Sequence, residues 1–489
     1  MHNNFYEYTH ISSYLPVIAC GQAFNFYSIP IMATATTAYV KRMMILCGIL
    51  LSFPGLFAGT SNLDGNWEGK LMISPEMGLR LGVNITDCEG EAAVTMDSPD
   101  QGAYGIPMQV DFICSDSLIV AVPRLMLKYE ARLKADSITG VFTQGPLSFP
   151  LILKRKTATW VRPQTPRPPF PYITEDVIIQ SCLDNANLYG TLSMPDKTLS
   201  KTPAVLLISG SGTQNRDEEL FGHRPFAVIS DNLARHGIAS LRYDDRGFDE
   251  STGLTPNLTT YENAMDALGG INFLRQKGFS KIGIIGHSEG GQIADMIAKD
   301  GSLVDFIVEL GGPAVPGDSI LIYQNEFLLR DGGMPNAYIS MYLEAMRGMF
   351  RSQKDIDPEP FDEHKYAIFS PENLANPVLA PLARNLRENF SSLTPWLRYF
   401  INYDPAADLK GISIPVLMLY GEKDTQVAPA LNVPALEKIN PNIRIKVYPD
   451  LNHLMQHSTT GKITEYAEIE ETISPEVLED IRLFIRSLE

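Results

Sequence analysis

The run Lys281-Ile-Gly-Ile-Ile-Gly-His-Ser-Glu-Gly-Gly291 puts Ser288 at the centre of G-x-S-x-G, between a buried apolar run and the helical pattern Gln292 to Lys299. A serine hydroxyl is a poor nucleophile at neutral pH. It becomes useful when a strained strand-to-helix turn lifts it above a sheet and a neighbouring base takes its proton. The helix that follows also favours the negative charge that develops during acyl transfer. Gly286 and Gly290 let the flanking backbones pass closely. The short string alone describes an ordinary turn; the strand before it and the helix after it change the reading to a nucleophile.

Such a serine needs a histidine base oriented by a carboxylate. Val416-Leu-Met-Leu-Tyr420 runs into Gly421-Glu-Lys-Asp424, which makes Asp424 the candidate acid. Its plainer reading is a turn residue that caps the next helix, as Glu422 could also do. Val447-Tyr-Pro-Asp-Leu-Asn-His453 puts His453 in the loop after the last strand, as the candidate base. His457 is its competitor, while His223, His236 and His364 lie in or near helical patterns and read as structural or solvated.

Acyl transfer also asks for two backbone N–H donors. Glu289 offers one, and Ser211, in the loop Ser209-Gly-Ser-Gly-Thr-Gln214, is the expected second. This loop has neither the lysine of a P-loop nor the G-x-G-x-x-G spacing, so it is a poor nucleotide site. Tyr243-Asp-Asp-Arg-Gly247 follows the next strand, where a buried ion pair holding the loop is expected in preference to direct catalysis.

These residues must be carried by a sheet. Short apolar runs at 177–181, 188–194, 204–209, 238–243, 282–285, 306–310, 416–420 and 443–448 alternate with amphipathic stretches such as Phe226 to Arg235 and Tyr261 to Lys277. Strands alternating with helices predict an α/β unit with a mainly parallel sheet covered on both faces. Between about Pro316 and Asp404 the strands stop, and Tyr338, Met341, Tyr342, Ala345 and Met349 recur at helical spacing. That insert is expected to be a helical cap, its stripe core packing before ligand contact. From Gly65 to about Lys156 the period is two, broken by turn signals, which predicts a small antiparallel barrel or sandwich. Five prolines within 161–172 predict an extended, semi-rigid spacer. The expected division is therefore an N-terminal extension over 1–60, a β domain over 61–157, a linker over 158–172 and the α/β domain over 173–489.

The chain has 489 residues, 44% of them hydrophobic, enough for more than one core. Its 40 Lys and Arg against 57 Asp and Glu leave a net charge of −17, which repels nucleic acid and anionic lipid. The five cysteines, at 20, 47, 88, 114 and 182, form no metal-site spacing. Buried free thiols at Cys88 and Cys114 are the expected state, with a bridge between them as the alternative. Lys41-Arg42 before the apolar run Met43 to Phe57 reads as a signal peptide, too short for a membrane anchor, so the mature chain is expected to be exported, periplasmic or secreted. A start at Met32 or Val40 would bring that segment to its usual distance from the N-terminus.

From about Tyr172 onward the chain resembles a serine hydrolase of the α/β-hydrolase superfamily. The strings Ser209-Gly-Ser-Gly-Thr-Gln-Asn-Arg-Asp-Glu218, Tyr243-Asp-Asp-Arg-Gly247, Gly286-His-Ser-Glu-Gly290, Gly421-Glu-Lys-Asp424 and Leu451-Asn-His453 are similar to those of bacterial EstD-like carboxylesterases. The chain order Ser288, Asp424, His453 agrees with that superfamily. Gly65-x-Trp67, Asp97-Ser-Pro-Asp-Gln-Gly102 and Thr143-Gln-Gly145 resemble the lipocalin-like domain that precedes the hydrolase in that family. Thr213 stands where the family pattern has proline. The resemblance implies hydrolysis of small carboxylic esters by Ser288, Asp424 and His453, without a cofactor. Two alternatives accompany it: a serine aminopeptidase or oligopeptidase on the same scaffold, and an inactive binding protein for surface glycan or lipid.

Overall fold

The structure, a computed structural model, describes residues 62–489 apart from 73–77, 89–90, 99–102, 146, 157–160, 185, 196–201, 254, 256, 300, 302 and 392. The expected signal peptide, with Cys20 and Cys47, lies outside the described residues, as does part of the 97–102 string. The described chain falls into two compact units, one ending at Thr159 and one running from Trp160 to Glu489.

The first unit is an antiparallel barrel, not a sandwich. Its strands are β1 (Gly65–Met72), β2 (Gly78–Cys88), β3 (Glu91–Ser98), β4 (Ala103–Ile113), β5 (Ser117–Val122), β6 (Leu127–Lys134), β7 (Ser137–Gln144) and β8 (Leu147–Arg155). Each pairs with the next, and β1 closes on β8 at Trp67 opposite Arg155. Closure removes the open edges on which other chains could pair. The period-two pattern decides which side chains fill it. On β6, Leu127, Tyr129 and Ala131 are buried while Lys128 and Glu130 are exposed. Trp67 is buried among these residues with its indole N–H donated to the Leu63 carbonyl at 2.7 Å. Cys114 is a half-buried free thiol 3.3 Å from Asp116, so it forms no bridge and is not fully buried, and the Cys88 side chain lies outside the described residues.

The second unit is built on an eight-stranded sheet of β9 (Ile173–Gln180), β10 (Asn187–Met194), β11 (Ala204–Ile208), β12 (Ala239–Tyr243), β13 (Ile282–His287), β14 (Phe306–Leu310), β15 (Val416–Gly421) and β16 (Arg444–Tyr448). Its order is β16-β15-β14-β13-β11-β12-β10-β9. The strands from β16 to β12 run parallel, and β10 and β9 are added antiparallel. Every residue of β11, β13, β14 and β15 is buried, as expected for strands covered on both faces. One face packs against helices Thr260–Lys277 and Glu289–Ala298, the other against Pro225–Arg235 and Pro475–Ser487.

Between β14 and β15 lie helices Gly317–Asp331, Asn336–Ser352, Pro371–Leu374, Leu379–Ser391, Pro395–Asn402 and Ala406–Gly411. Tyr342, Ala345, Met346 and Met349 are buried in the core of this insert, while Tyr338 and Met341 are half-buried against it. The proline-rich stretch behaves differently from a free spacer. Arg162 and Gln164 are hydrogen-bonded deep into the second unit, the guanidinium to the carbonyls of Phe221, Ala467 and Ile469. A chain without internal hydrogen bonds has its backbone free, and here side chains two residues apart fasten it.

Candidate active site

Ser288 sits between β13 and helix Glu289–Ala298 with φ 53 and ψ −120, a conformation that L residues rarely adopt. Two features hold it there. The Ser288 N–H donates to the Leu310 carbonyl at 2.9 Å, locking the turn to β14. A Cβ on Gly290 would come within 2.1 Å of the Ile208 carbonyl, so the helix can start this close to β11 only with glycine at that position. Ser288 itself is half-buried, whereas His287 and Glu289 on either side are buried.

Asp424 follows β15 and is 3% exposed. Its two carboxylate oxygens have separate tasks. Oδ1 accepts the N–H groups of Gln426 and Val427, both at 2.8 Å, and Oδ2 lies 2.6 Å from His453 Nδ1. Asp424 therefore holds the turn as well as the histidine, but it does not cap the next helix, Pro429–Ile439, whose N-cap is Ala428. His453, 4% exposed, comes from the loop after β16. Gly311, next to the Leu310 that holds Ser288, lies beneath this pair. A Cβ there would be 3.1 Å from His453 Nδ1 and 3.2 Å from Asp424 Oδ2. The structure thus gathers Ser288, Asp424 and His453 around the ends of β13, β14, β15 and β16.

The competing histidines are elsewhere. His457 is exposed and pairs with Glu471 at 2.9 Å. His223 is fully buried between Thr472 and the Tyr466 carbonyl, and burial pushes it down to about 4. His236 bonds the Asn232 carbonyl at an exposed helix end, and His364 is exposed on a short 3-10 turn.

The loop after β11 is fixed by acids that follow β12. Asp245 accepts from the Gln214 N–H at 2.8 Å and lies 3.3 Å from the Ser209 hydroxyl. Burial pushes its carboxyl well above the usual range, while those two donors oppose the shift. Asp244 accepts from both the backbone and the guanidinium of Arg216, and Arg246 pairs with Asp266 at 2.5 Å. Arg246 and Asp266 form the buried ion pair expected of the Tyr243–Gly247 string, whereas Asp245 holds its loop through neutral donors.

Two carboxylates carry more than the sequence reading gave them. The buried Glu289 side chain accepts from the Thr260 hydroxyl at 2.7 Å and from the Trp396 indole at 2.9 Å, so the residue after Ser288 is tied to helix Pro395–Asn402 of the insert. Glu218, also buried, accepts the Gly210 N–H at 2.7 Å and lies 2.7 Å from His287 Nδ1. With the Gly210 N–H taken, Ser211 is the next donor along the loop. The only signal for Glu218 in the sequence was an acid ending an otherwise small and polar string.

Residues 205–463 match the model of the alpha/beta hydrolase family. The chain is 30% identical over 284 residues to esterase EstD of Thermotoga maritima, a stretch covering 57% of this chain and 60% of that relative. Among solved structures, it is similar to the Pyrococcus furiosus esterase Pf2001, with TM-score 0.40 and 16% identity over 68% of this chain and 99% of that one. It is also similar to Est1E of Butyrivibrio proteoclasticus bound to ferulic acid, with TM-score 0.40 and 18% identity over 64% of this chain and 98% of that one.

Proposed function

We propose that this chain, which belongs to the alpha/beta hydrolase family, hydrolyses small carboxylic esters through Ser288, His453 and Asp424. The observation that carries the reading is the 2.6 Å contact of His453 Nδ1 with buried Asp424, in a chain whose Ser288 stands on a strained elbow. With its Nδ1–H donated to Asp424, His453 presents an unprotonated Nε2 and takes the Ser288 proton as the serine attacks the ester carbonyl. The N–H groups of Glu289 and Ser211 hold the oxyanion. Collapse of the tetrahedral intermediate expels the alcohol, which receives the proton from His453. Water, activated by the same histidine, then releases the acid and restores Ser288. The similarity to esterase EstD favours esters over peptides.

The test is turnover of p-nitrophenyl acyl esters beside aminoacyl anilides, with Ser288→Ala as the control. Ester turnover is expected, and the variant should lose on the order of 10⁴ to 10⁶ in kcat. More than a few per cent of residual activity in Ser288→Ala would remove the serine from its role, and preferential anilide cleavage would make the protein a peptidase.

A further inference from the structure

Building on the reading of Ser288 and His453 as nucleophile and base, we infer that His287 is held as an imidazolium by Glu218. It is a positioning residue that ties the loop bearing Ser211 to the backbone of the base.

The argument begins with hydrogen-bond arithmetic. His287 Nδ1 lies 2.7 Å from Glu218 Oε1, and Nε2 lies 3.1 Å from the His453 carbonyl oxygen. A carbonyl oxygen can only accept, so Nε2 must carry a hydrogen. Glu218 Oε1 already accepts the Gly210 N–H at 2.7 Å, which is the behaviour of an ionised oxygen. With Glu218 ionised, a neutral imidazole, which has one N–H, would serve one of the two contacts, and the imidazolium serves both. The alternative distribution puts the proton on Glu218 Oε1, which would then donate to Nδ1 while still accepting from Gly210.

The setting supports the charged form. Burial opposes charge on His287, but attraction and hydrogen bonding from Glu218, the His453 carbonyl and the more distant Asp424 outweigh it and raise the histidine above its ordinary value. The ionisable groups around this ring are Glu218 from the loop after β11, with Asp245 beyond it, and His453 and Asp424 from the loops after β16 and β15. The rings of His287 and His453 are 4.7 Å apart at 45°. The mechanical consequence is a chain of contacts from the Gly210 N–H, one residue before Ser211, through Glu218 and His287 to the backbone of His453.

The first measurement is the ¹⁵N spectrum of the full chain with labelled histidine at about pH 8.5, well above the ordinary histidine value of about 6.5. One imidazolium with a proton on each ring nitrogen is expected to persist, and to vanish in Glu218→Gln and His287→Gln. A wild-type spectrum with no such ring at that pH overturns the proposal without recourse to any variant. The second is the rate of labelling of Ser288 by a fluorophosphonate at a temperature where the wild type and both variants are folded. In both variants it should fall several-fold, and a rate equal to that of the wild type would overturn the positioning role. The two readings separate cleanly. A persistent imidazolium in a protein without ester turnover sustains the His287 assignment and sinks the esterase reading. A neutral His287 in an active esterase does the reverse.

Discussion

Asp424 divides its two oxygens between a turn and a histidine, and that division makes it testable one atom at a time. In Asp424→Asn the remaining carbonyl oxygen can still accept the N–H groups of Gln426 and Val427, but the amide group facing His453 becomes a donor. It would force the tautomer with Nδ1 bare and Nε2 protonated, which cannot take the serine proton. We expect kcat to fall by about 10⁴ with little change in the melting curve. His457→Ala should keep most of the activity, because that side chain is exposed and occupied by Glu471. Comparable losses in the two variants would mean that the base has been misassigned. The three residues proposed as a triad stand out in the sequence because each chemistry restricts the residue type and each follows an apolar strand run. Glu218 and His287 could not, since their pairing spans 69 positions and depends on the loop after β11 folding back over β13.

A second buried acid pair works at the scale of one helix against one strand. Asp295, on helix Glu289–Ala298, and Glu309, on β14, are both fully buried, and no donor among the described residues reaches any of their four carboxyl oxygens. The carboxyls face one another, so one proton must be shared between them. Burial pushes both upward, Glu309 to about 7 from an ordinary 4.5. A carboxyl raised in the folded state holds a proton that the unfolded chain has released. Stability therefore falls as pH rises from 4.5 to about 7 and does not recover above it. Asp295→Asn supplies a permanent donor and should flatten this slope, so that its melting temperature gains on the wild type between pH 5 and 8. Parallel curves for the two proteins would dispose of the shared proton. Hydropathy suggested helix and strand here, but not which two acids meet across the seam, because that requires the register of the helix on the sheet.

At the scale of the whole molecule the question is where the catalytic unit begins. The change of sequence rhythm pointed to a boundary inside the proline-rich stretch, with the α/β domain beginning at 173. The hydrogen bonds argue for an earlier start. Arg162, 8% exposed, serves the carbonyls of Phe221, Ala467 and Ile469, and the Gln164 side-chain oxygen accepts from Thr472 and Ile473 while its amide donates to the Ile473 carbonyl. Removing both would expose or strand backbone groups next to buried His223, which itself bonds Thr472 and the Tyr466 carbonyl. An unpaired buried polar group costs about 1–3 kcal/mol, so several together threaten a domain of ordinary stability. Proline composition indicated extended backbone, but it could not indicate that Arg162 and Gln164 are its anchors. We therefore expect a fragment beginning at Trp160 to fold and to label at Ser288 with a fluorophosphonate, since every residue of the proposed mechanism lies beyond that point. A fragment beginning at Tyr172 should melt several degrees lower or fail to fold, and Arg162→Ala in the full chain should reproduce part of that loss, about 2 kcal/mol or more in urea unfolding of the second unit. Equal melting temperatures for the two fragments would show that Arg162 and Gln164 only rest on the surface they touch, and would return the boundary to the prolines.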